Sequence, residues 1–286
     1  SDSGGTVTGR FSYNNPNLQQ IPARDSADAE LKIGTLIRSL FLPEDGEKWG
    51  SFDYSQQEPR LVVHYANKVG LEGSQKLLEA YQNDKNTDFH TIMAEIANIP
   101  RKSAKTINLG LFYGMGVGKL SDQMGIDPAE AKALINQYNE RVPFVRQLAD
   151  KVSDHAQRKG RVRTILGRQC RFDLWEPKSF GAHKAYPYEK AIEEYGSNIG
   201  LKRAGTYKSL NRLIQGSAAD QIKKAMVELH KEGIIPMIQI HDELAISVDG
   251  SKEQQDKIIE VMENCLEMEI PSKVDVAVAK NWGEAQ

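Results

Sequence analysis

The sequence predicts an α+β protein, a mostly antiparallel sheet covered by helices, and three observations lead there. Short β-prone runs fall at 47–53, 237–248 and 273–278, with helical patterns over most of the chain between them. The second run holds Gln239-Ile240-His241-Asp242-Glu243-Leu244, where a polar pair between apolar stretches implies a hairpin with Asp242 and Glu243 at its tip. Composition agrees: 286 residues, 40 % apolar and 27 % charged, can bury a core in one large domain or two smaller ones and do not describe a disordered tail.

Taken in order, residues 8–24 are rich in Asn, Gln, Gly and Pro and carry Arg10 and Arg24. They favour turns and extended backbone, and suit either an ordinary polar loop or donors to phosphates and minor-groove acceptors. Lys48-Trp49-Gly50-Ser51-Phe52 then leads into Asp53, and an amphipathic helix runs from about Gln57 to Asn67 with Ser55 as its cap. Helical patterns follow at about 74–83 and 87–97, the latter carrying Asp88 and His90 near its start. Pro100 opens the helix Arg101–Gly114, in which Arg101, Lys105, Leu109 and Tyr113 are spaced by four and share one face. That face suits a triphosphate, a sugar and a base in turn, and equally suits a snorkelling basic helix with a core tyrosine.

Gly114-Met115-Gly116-Val117-Gly118 breaks the helix, and Asp127-Pro128 caps another that reaches about Asn139. A helix from about Val142 to Arg158 leads into a hairpin over 161–172. Residues 173–199 read as a long loop or insertion, and a long helix covers about Tyr207 to Glu232. From His155 to Phe172 there is no acid, against Arg158, Lys159, Arg161, Arg163, Arg168 and Arg171, whereas 253–269 is acid-rich and reads as a surface helix turned away from nucleic acid. The formal net charge of −2 advertises no polyanionic partner by itself.

Cys170 and Cys265 stand alone, which supports neither a disulfide framework nor a zinc site and fits a reducing compartment. With no apolar run of spanning length and no targeting character at Ser1-Asp2-Ser3-Gly4-Gly5, a cytoplasmic protein without a membrane partner is expected. Asp53 and Asp242, two strand-end aspartates from distant parts of the chain, are candidates to share a pair of Mg²⁺ ions.

Thr8-Gly9-Arg10, Asn17-Leu18-Gln19-Gln20-Ile21-Pro22, Asp53-Tyr54-Ser55-Gln56-x-Glu58, Arg101-x3-Lys105-x7-Tyr113-Gly114, Gln215-Gly216-x-Ala218-Ala219-Asp220 and His241-Asp242-Glu243 occur here in one order. In that order they resemble the family A, polymerase-I-like DNA polymerases, over essentially the whole chain, with a bacteriophage character at 173–199 and Ser209-Leu210-Asn211-Arg212. The resemblance implies a palm, 1–66 and 206–286, with helical fingers inserted at 67–205. It implies two Mg²⁺ ions held by Asp53, Asp242 and the Tyr54 backbone carbonyl, with Lys105 also in the catalytic set. Arg101, Lys105 and His90 would meet the incoming deoxynucleoside triphosphate, Leu109, Tyr113 and Gln56 would lie beside it, and Glu58 would exclude a ribose 2′-hydroxyl. Arg10, Arg24, Asn211, Gln215 and His241 would touch the primer-template DNA. A host-cell cytoplasm is then the expected location.

Four departures stand out. Leu109 replaces an aromatic residue, Pro59 replaces an aliphatic one and needs the first turn of its helix, and Tyr207 stands where an Arg is common, with Lys208 beside it. Seven residues precede Thr8, so the thumb and exonuclease-like domains are expected to be absent. That leaves open a polymerase core, a split polymerase working with a separate thumb or exonuclease chain or processivity factor, and a non-catalytic DNA-binding remnant. A single-subunit RNA polymerase is disfavoured by Glu58.

Overall fold

The computed structural model describes residues 5–22, 32–179 and 181–285. In chain order the helices and strands are α1 (Ile33–Ser39), β1 (Lys48–Tyr54), α2 (Gln57–Lys68), α3 (Ser74–Asn83), α4 (Phe89–Ala97), α5 (Arg101–Tyr113), α6 (Val117–Met124), α7 (Pro128–Arg141) and α8 (Pro143–Lys159). There follow β2 (Arg161–Arg163), β3 (Gln169–Arg171), β4 (Leu174–Pro177), β5 (Tyr186–Pro187), α9 (Tyr188–Tyr195), β6 (Leu201–Arg203), α10 (Ser209–Lys231), β7 (Ile238–Ile240), β8 (Glu243–Val248), α11 (Lys252–Asn264) and β9 (Val274–Ala279). Two compact units result: one from 1–60, 81–86 and 218–286, the other from 61–80 and 87–217.

The first unit is built on an antiparallel sheet in the order β7-β8-β1-β9. Side chains alternate across a strand, so one face sends Phe52, Tyr54, Leu244, Ile246 and Val248 against Ile222, Ala225 and Leu229 of α10 and Ile258 and Met262 of α11. The opposite face places Trp49, Ile240 and Ala245 around Trp282. Trp282 stacks on Trp49 with ring centroids 6.0 Å apart, takes the edge of Phe41 at 5.3 Å, and has the Arg38 guanidinium 4.2 Å from its ring. Trp282 thus covers the face of the sheet that, by strand alternation, also carries Ser51 and Asp53.

After β1 the backbone turns sharply, with Gln56 at φ +52°. The first helical hydrogen bond of α2 runs from the Arg60 N–H to the Gln56 carbonyl, so Gln56, and not Ser55 as the sequence suggests, occupies the cap position. Pro59 sits in the first turn, where its missing N–H costs nothing. Arg60 is 2 % exposed and clamps this corner: it donates to the carbonyls of Ser55 (2.9 Å), Pro271 (2.7 Å) and Lys85 (2.6 Å) and lies 4.5 Å over the Tyr81 ring.

In the second unit α4 and α5 meet through Phe89 and Phe112, 6.2 Å apart, and Gly110 of α5 lets Leu120 of α6 approach where a Cβ would collide with it. Asp88 caps α4 through the Thr91 N–H at 2.7 Å, and Asp127 caps α7 through the Ala129 N–H at 2.7 Å with Pro128 first in the helix. Helices α1 and α6 were not apparent in the sequence. The stretch 173–199, expected as a loop, carries β4, β5 and α9 instead, and β5 and β4 join β6 just beyond it in a small sheet. Trp175 holds it together, with Tyr188 at 5.0 Å and the Arg203 guanidinium at 4.5 Å.

Arg60→Leu strands three carbonyls, and should cost roughly 3 kcal/mol or more of stability. Urea unfolding followed by tryptophan fluorescence would check it; a loss under about 1 kcal/mol would mean that water replaces the guanidinium.

Candidate active site

Asp53 is the last but one residue of β1, inside the strand and not past its end. Its register partners are Glu243 on β8 and Asp275 on β9, so three carboxylates form one row across the sheet. The β7–β8 connection is a two-residue turn, His241-Asp242, with His241 at φ +54°. Asp242 alone of the expected pair therefore stands in the turn, while Glu243 begins β8. The Tyr54 N–H donates to the Asp242 carbonyl at 3.2 Å, which holds the turn against the end of β1.

Desolvation raises both aspartates above the usual carboxylate range; for Asp53, Asp242 and Glu243 add like-charge repulsion. The two carboxyl groups interact by hydrogen bond as well as by charge, and nearby Arg10 favours the charged form of Asp242. Glu243 is also raised by burial, against the pull of a hydrogen bond with Ser51 and the charge of Arg38. Two buried carboxyl groups whose charges repel suit a dication, which would offset that repulsion. Among the described residues no three His, Cys, Asp or Glu side chains converge on one point. Two carboxylates and a backbone carbonyl, completed by water and phosphate oxygens, match the coordination habits of Mg²⁺ better than an all-protein cage would.

Arg10 and Glu58, expected to act separately, are joined: Nη2 donates to Oε1 at 2.5 Å. Gln56 accepts a hydrogen bond from the Tyr81 hydroxyl at 3.4 Å. The Tyr54 hydroxyl is buried and donates to the Met262 carbonyl at 2.6 Å, which anchors the end of β1 in the core. His241 is exposed. Arg24 lies outside the described residues. Asp275 was missed by sequence reasoning, although an acid breaking the run Val274-Asp275-Val276-Ala277-Val278-Ala279 was a usable signal.

In the second unit α5 shows the expected gradient: Arg101 and Lys105 are exposed, Leu109 and Tyr113 half-buried, and Ala104, Ile107, Asn108 and Phe112 face the core. Arg101 is braced by Asp88 at 2.6 Å and Thr91 at 3.1 Å. His90 is only 8 % exposed; its Nδ1 meets the Asn108 amide nitrogen at 3.2 Å, and Asn108 in turn accepts from the Tyr138 hydroxyl. On α10, Asn211 and Gln215 are half-buried. Tyr207 is 61 % exposed, with the Lys208 ammonium 5.3 Å from its ring. The basic segment splits in two. Arg168 donates to the Gly216 carbonyl at 2.8 Å, whereas Arg158, Lys159, Arg161 and Arg163 rim a groove of about 750 Å³ floored by Leu148 and Val162.

Burial, with Lys105 and Arg101 adding to it against Asp88, lowers His90 from 6.5 to about 4. The folded state then binds fewer protons than the unfolded chain, so this contribution to stability is complete above pH 6.5 and is lost as pH falls through about 4. The loss amounts to roughly 3 kcal/mol. Imidazole ¹⁵N shifts should titrate near pH 4, and a midpoint near 6.5 would indicate a solvated ring.

Residues 2–284 match the model of DNA polymerase family A. A DNA-directed DNA polymerase of Pseudomonas phage M6 is 36 % identical over 98 % of this chain and 44 % of its own length. The thermostable DNA polymerase I of Thermus filiformis is 32 % identical over 98 % of the chain and 32 % of its own length. The chain thus spans less than half the length of these relatives. Among solved structures, the POL domain of Pol1 from M. smegmatis, in complex with DNA primer-template and dNTP, has a TM-score of 0.75 at 30 % identity, covering 98 % of this chain and 47 % of that one. No helix among the described residues is long and apolar enough to cross a membrane.

Proposed function

Since the chain belongs to DNA polymerase family A, we propose that it is the palm-and-fingers core of a template-directed DNA polymerase, adding deoxynucleotides to a primer 3′-hydroxyl during DNA replication. The observation that carries the reading is the Asp53–Asp242 pair, two carboxyl groups that strand register and the Tyr54–Asp242 backbone bond bring together at the end of the sheet. With the Tyr54 carbonyl they would hold two Mg²⁺ ions, which supply a lowered hydroxyl pKa and charge neutralisation at the leaving pyrophosphate when bound. Everything else is positioning by the chain itself. Arg101 and Lys105, on one exposed helix face, would bind the triphosphate, with Asp88 keeping the Arg101 fork aimed. His90 is held neutral and buried, so its expected part in binding the triphosphate would be by hydrogen bond and not by charge.

Leu109 and Tyr113 would pack beside the sugar and base. Glu58 would crowd a ribose 2′-hydroxyl, its carboxylate oriented by Arg10. Arg10, His241, Asn211 and Gln215 would contact the DNA, where minor-groove acceptors report pair shape with little sequence dependence. The M. smegmatis POL domain is a complex with DNA primer-template and dNTP, which supports these two as partners here.

Asp53→Ala and Asp242→Ala should each abolish primer extension with Mg²⁺, measured for this chain alone and with a thumb-containing fragment added, while circular dichroism stays unchanged. Extension at the parental rate by either variant would remove the two-metal assignment.

Leu109→Tyr adds a hydroxyl that could stand in for the 3′-hydroxyl missing from a dideoxynucleotide. A hydrogen bond to a charged group contributes roughly 1.5–3 kcal/mol, so relative dideoxynucleotide use should rise on the order of 10- to 100-fold, and Leu109→Phe should gain little. Equal gains from Phe and Tyr would assign the effect to ring packing.

A further inference from the structure

We infer that Tyr13 is a positioning residue for the turn that presents Asp242, an inference that rests on the proposed metal-holding role of that carboxylate. Strand β7 lies at an edge of the four-stranded sheet and has three residues. An edge strand presents N–H and C=O groups with no ladder partner. At Gln239 both are taken by one atom, because the Tyr13 hydroxyl donates to the Gln239 carbonyl at 2.7 Å and accepts from its N–H at 3.2 Å. A hydroxyl has one donor and two lone pairs, so both bonds form together. Tyr13 thereby closes the edge as a neighbouring strand would.

The Gln239 side chain carries the constraint into the turn. Gln239 is 5 % exposed, and its Nε2 donates to the His241 carbonyl at 2.6 Å while Oε1 meets no partner among the described residues. His241 holds φ +54°, a conformation that a residue with a Cβ keeps only where its surroundings enforce it. Asp242 follows, its carbonyl tied to the Tyr54 N–H beside Asp53. The line Tyr13, Gln239, His241, Asp242 thus links the N-terminal arm to the spacing of the two aspartates. Other contacts dock that arm: Lys223 lies 4.7 Å over the Phe11 ring, Arg10 pairs with Glu58, and Leu18 and Ile21 pack against the cluster around Trp49. Removing the Tyr13 hydroxyl should therefore release the edge without releasing the arm.

Tyr13→Phe keeps the ring and removes both bonds. Hydrogen exchange of the Gln239 amide should quicken about tenfold or more, and Mn²⁺ should bind about tenfold more weakly, read as free Mn²⁺ by electron paramagnetic resonance. In an Asp242→Ala background the same change should leave residual Mn²⁺ binding unaltered, since the carboxylate that the clamp positions is gone. Primer extension, where measurable, should lose kcat with little change in KM for the nucleotide, and raised Mn²⁺ should restore part of it. Parental amide exchange in Tyr13→Phe would overturn the clamp. Faster exchange with parental Mn²⁺ affinity would overturn the positioning role and leave Tyr13 a structural contact. Absence of Mn²⁺ binding by the unmodified protein, seen before any variant is compared, would sink the metal reading and this inference with it, whereas the exchange rates would still report on the clamp.

Discussion

The structure depends most on a repulsion that the fold enforces. Register puts Glu243, Asp53 and Asp275 in one row across three strands, and the turn adds Asp242 beside them. Like charges directly opposite each other destabilise a sheet, so the row survives only because both faces around it are strongly packed. Phe52, Leu244 and Ile246 bury one side, and Trp49 with Trp282 the other. The core thus stabilises a charge arrangement that is unfavourable by itself, and that the proposed Mg²⁺ ions would neutralise. Strain and electrostatic cost concentrated at one end of a well-packed sheet is how a functional site is expected to look.

The basic helix obeys a different rule. Arg101 and Lys105 are long side chains on an exposed face, and their aim depends on what braces them. Asp88 does two tasks there, capping α4 and holding the Arg101 guanidinium, so the start of one helix orients the first cation of the next. His90 and Asn108 form a buried polar pair beneath, completed by Tyr138. A satisfied network of this kind specifies one packing of α4 against α5 and α7, which propensity alone would not.

Much of this was legible in the sequence where a local signal existed. Asp127-Pro128 announced the start of α7, the spacing of Arg101, Lys105, Leu109 and Tyr113 gave the face of α5, and the β-prone runs around Asp53 and Asp242 gave the sheet. What escaped lacked a local signal. Helix α6 follows Gly114-Met115-Gly116 so closely that it reads as loop, and it forms because Gly110 admits Leu120. The strands β4 to β6 are two to four residues long, β4 and β5 ending in proline, and tertiary contacts around Trp175 create them. Arg10 and Glu58 are 48 positions apart and Tyr13 and Gln239 are 226 apart; no periodicity connects them.

Asp275 has a second consequence, for how the protein behaves among copies of itself. Strand β9 closes the sheet on the side away from β7, with no strand beyond it among the described residues. Its six residues, five of them Val or Ala, have the composition that adds readily to the edge of another molecule's sheet. A single carboxylate, salt-bridged to Lys273 at 2.7 Å and still exposed, interrupts that apolar row. A docking strand would have to bury the charge or displace it, as gatekeeper residues on edge strands require. The acid that crowds Asp53 from one side therefore also keeps this edge from recruiting a neighbour.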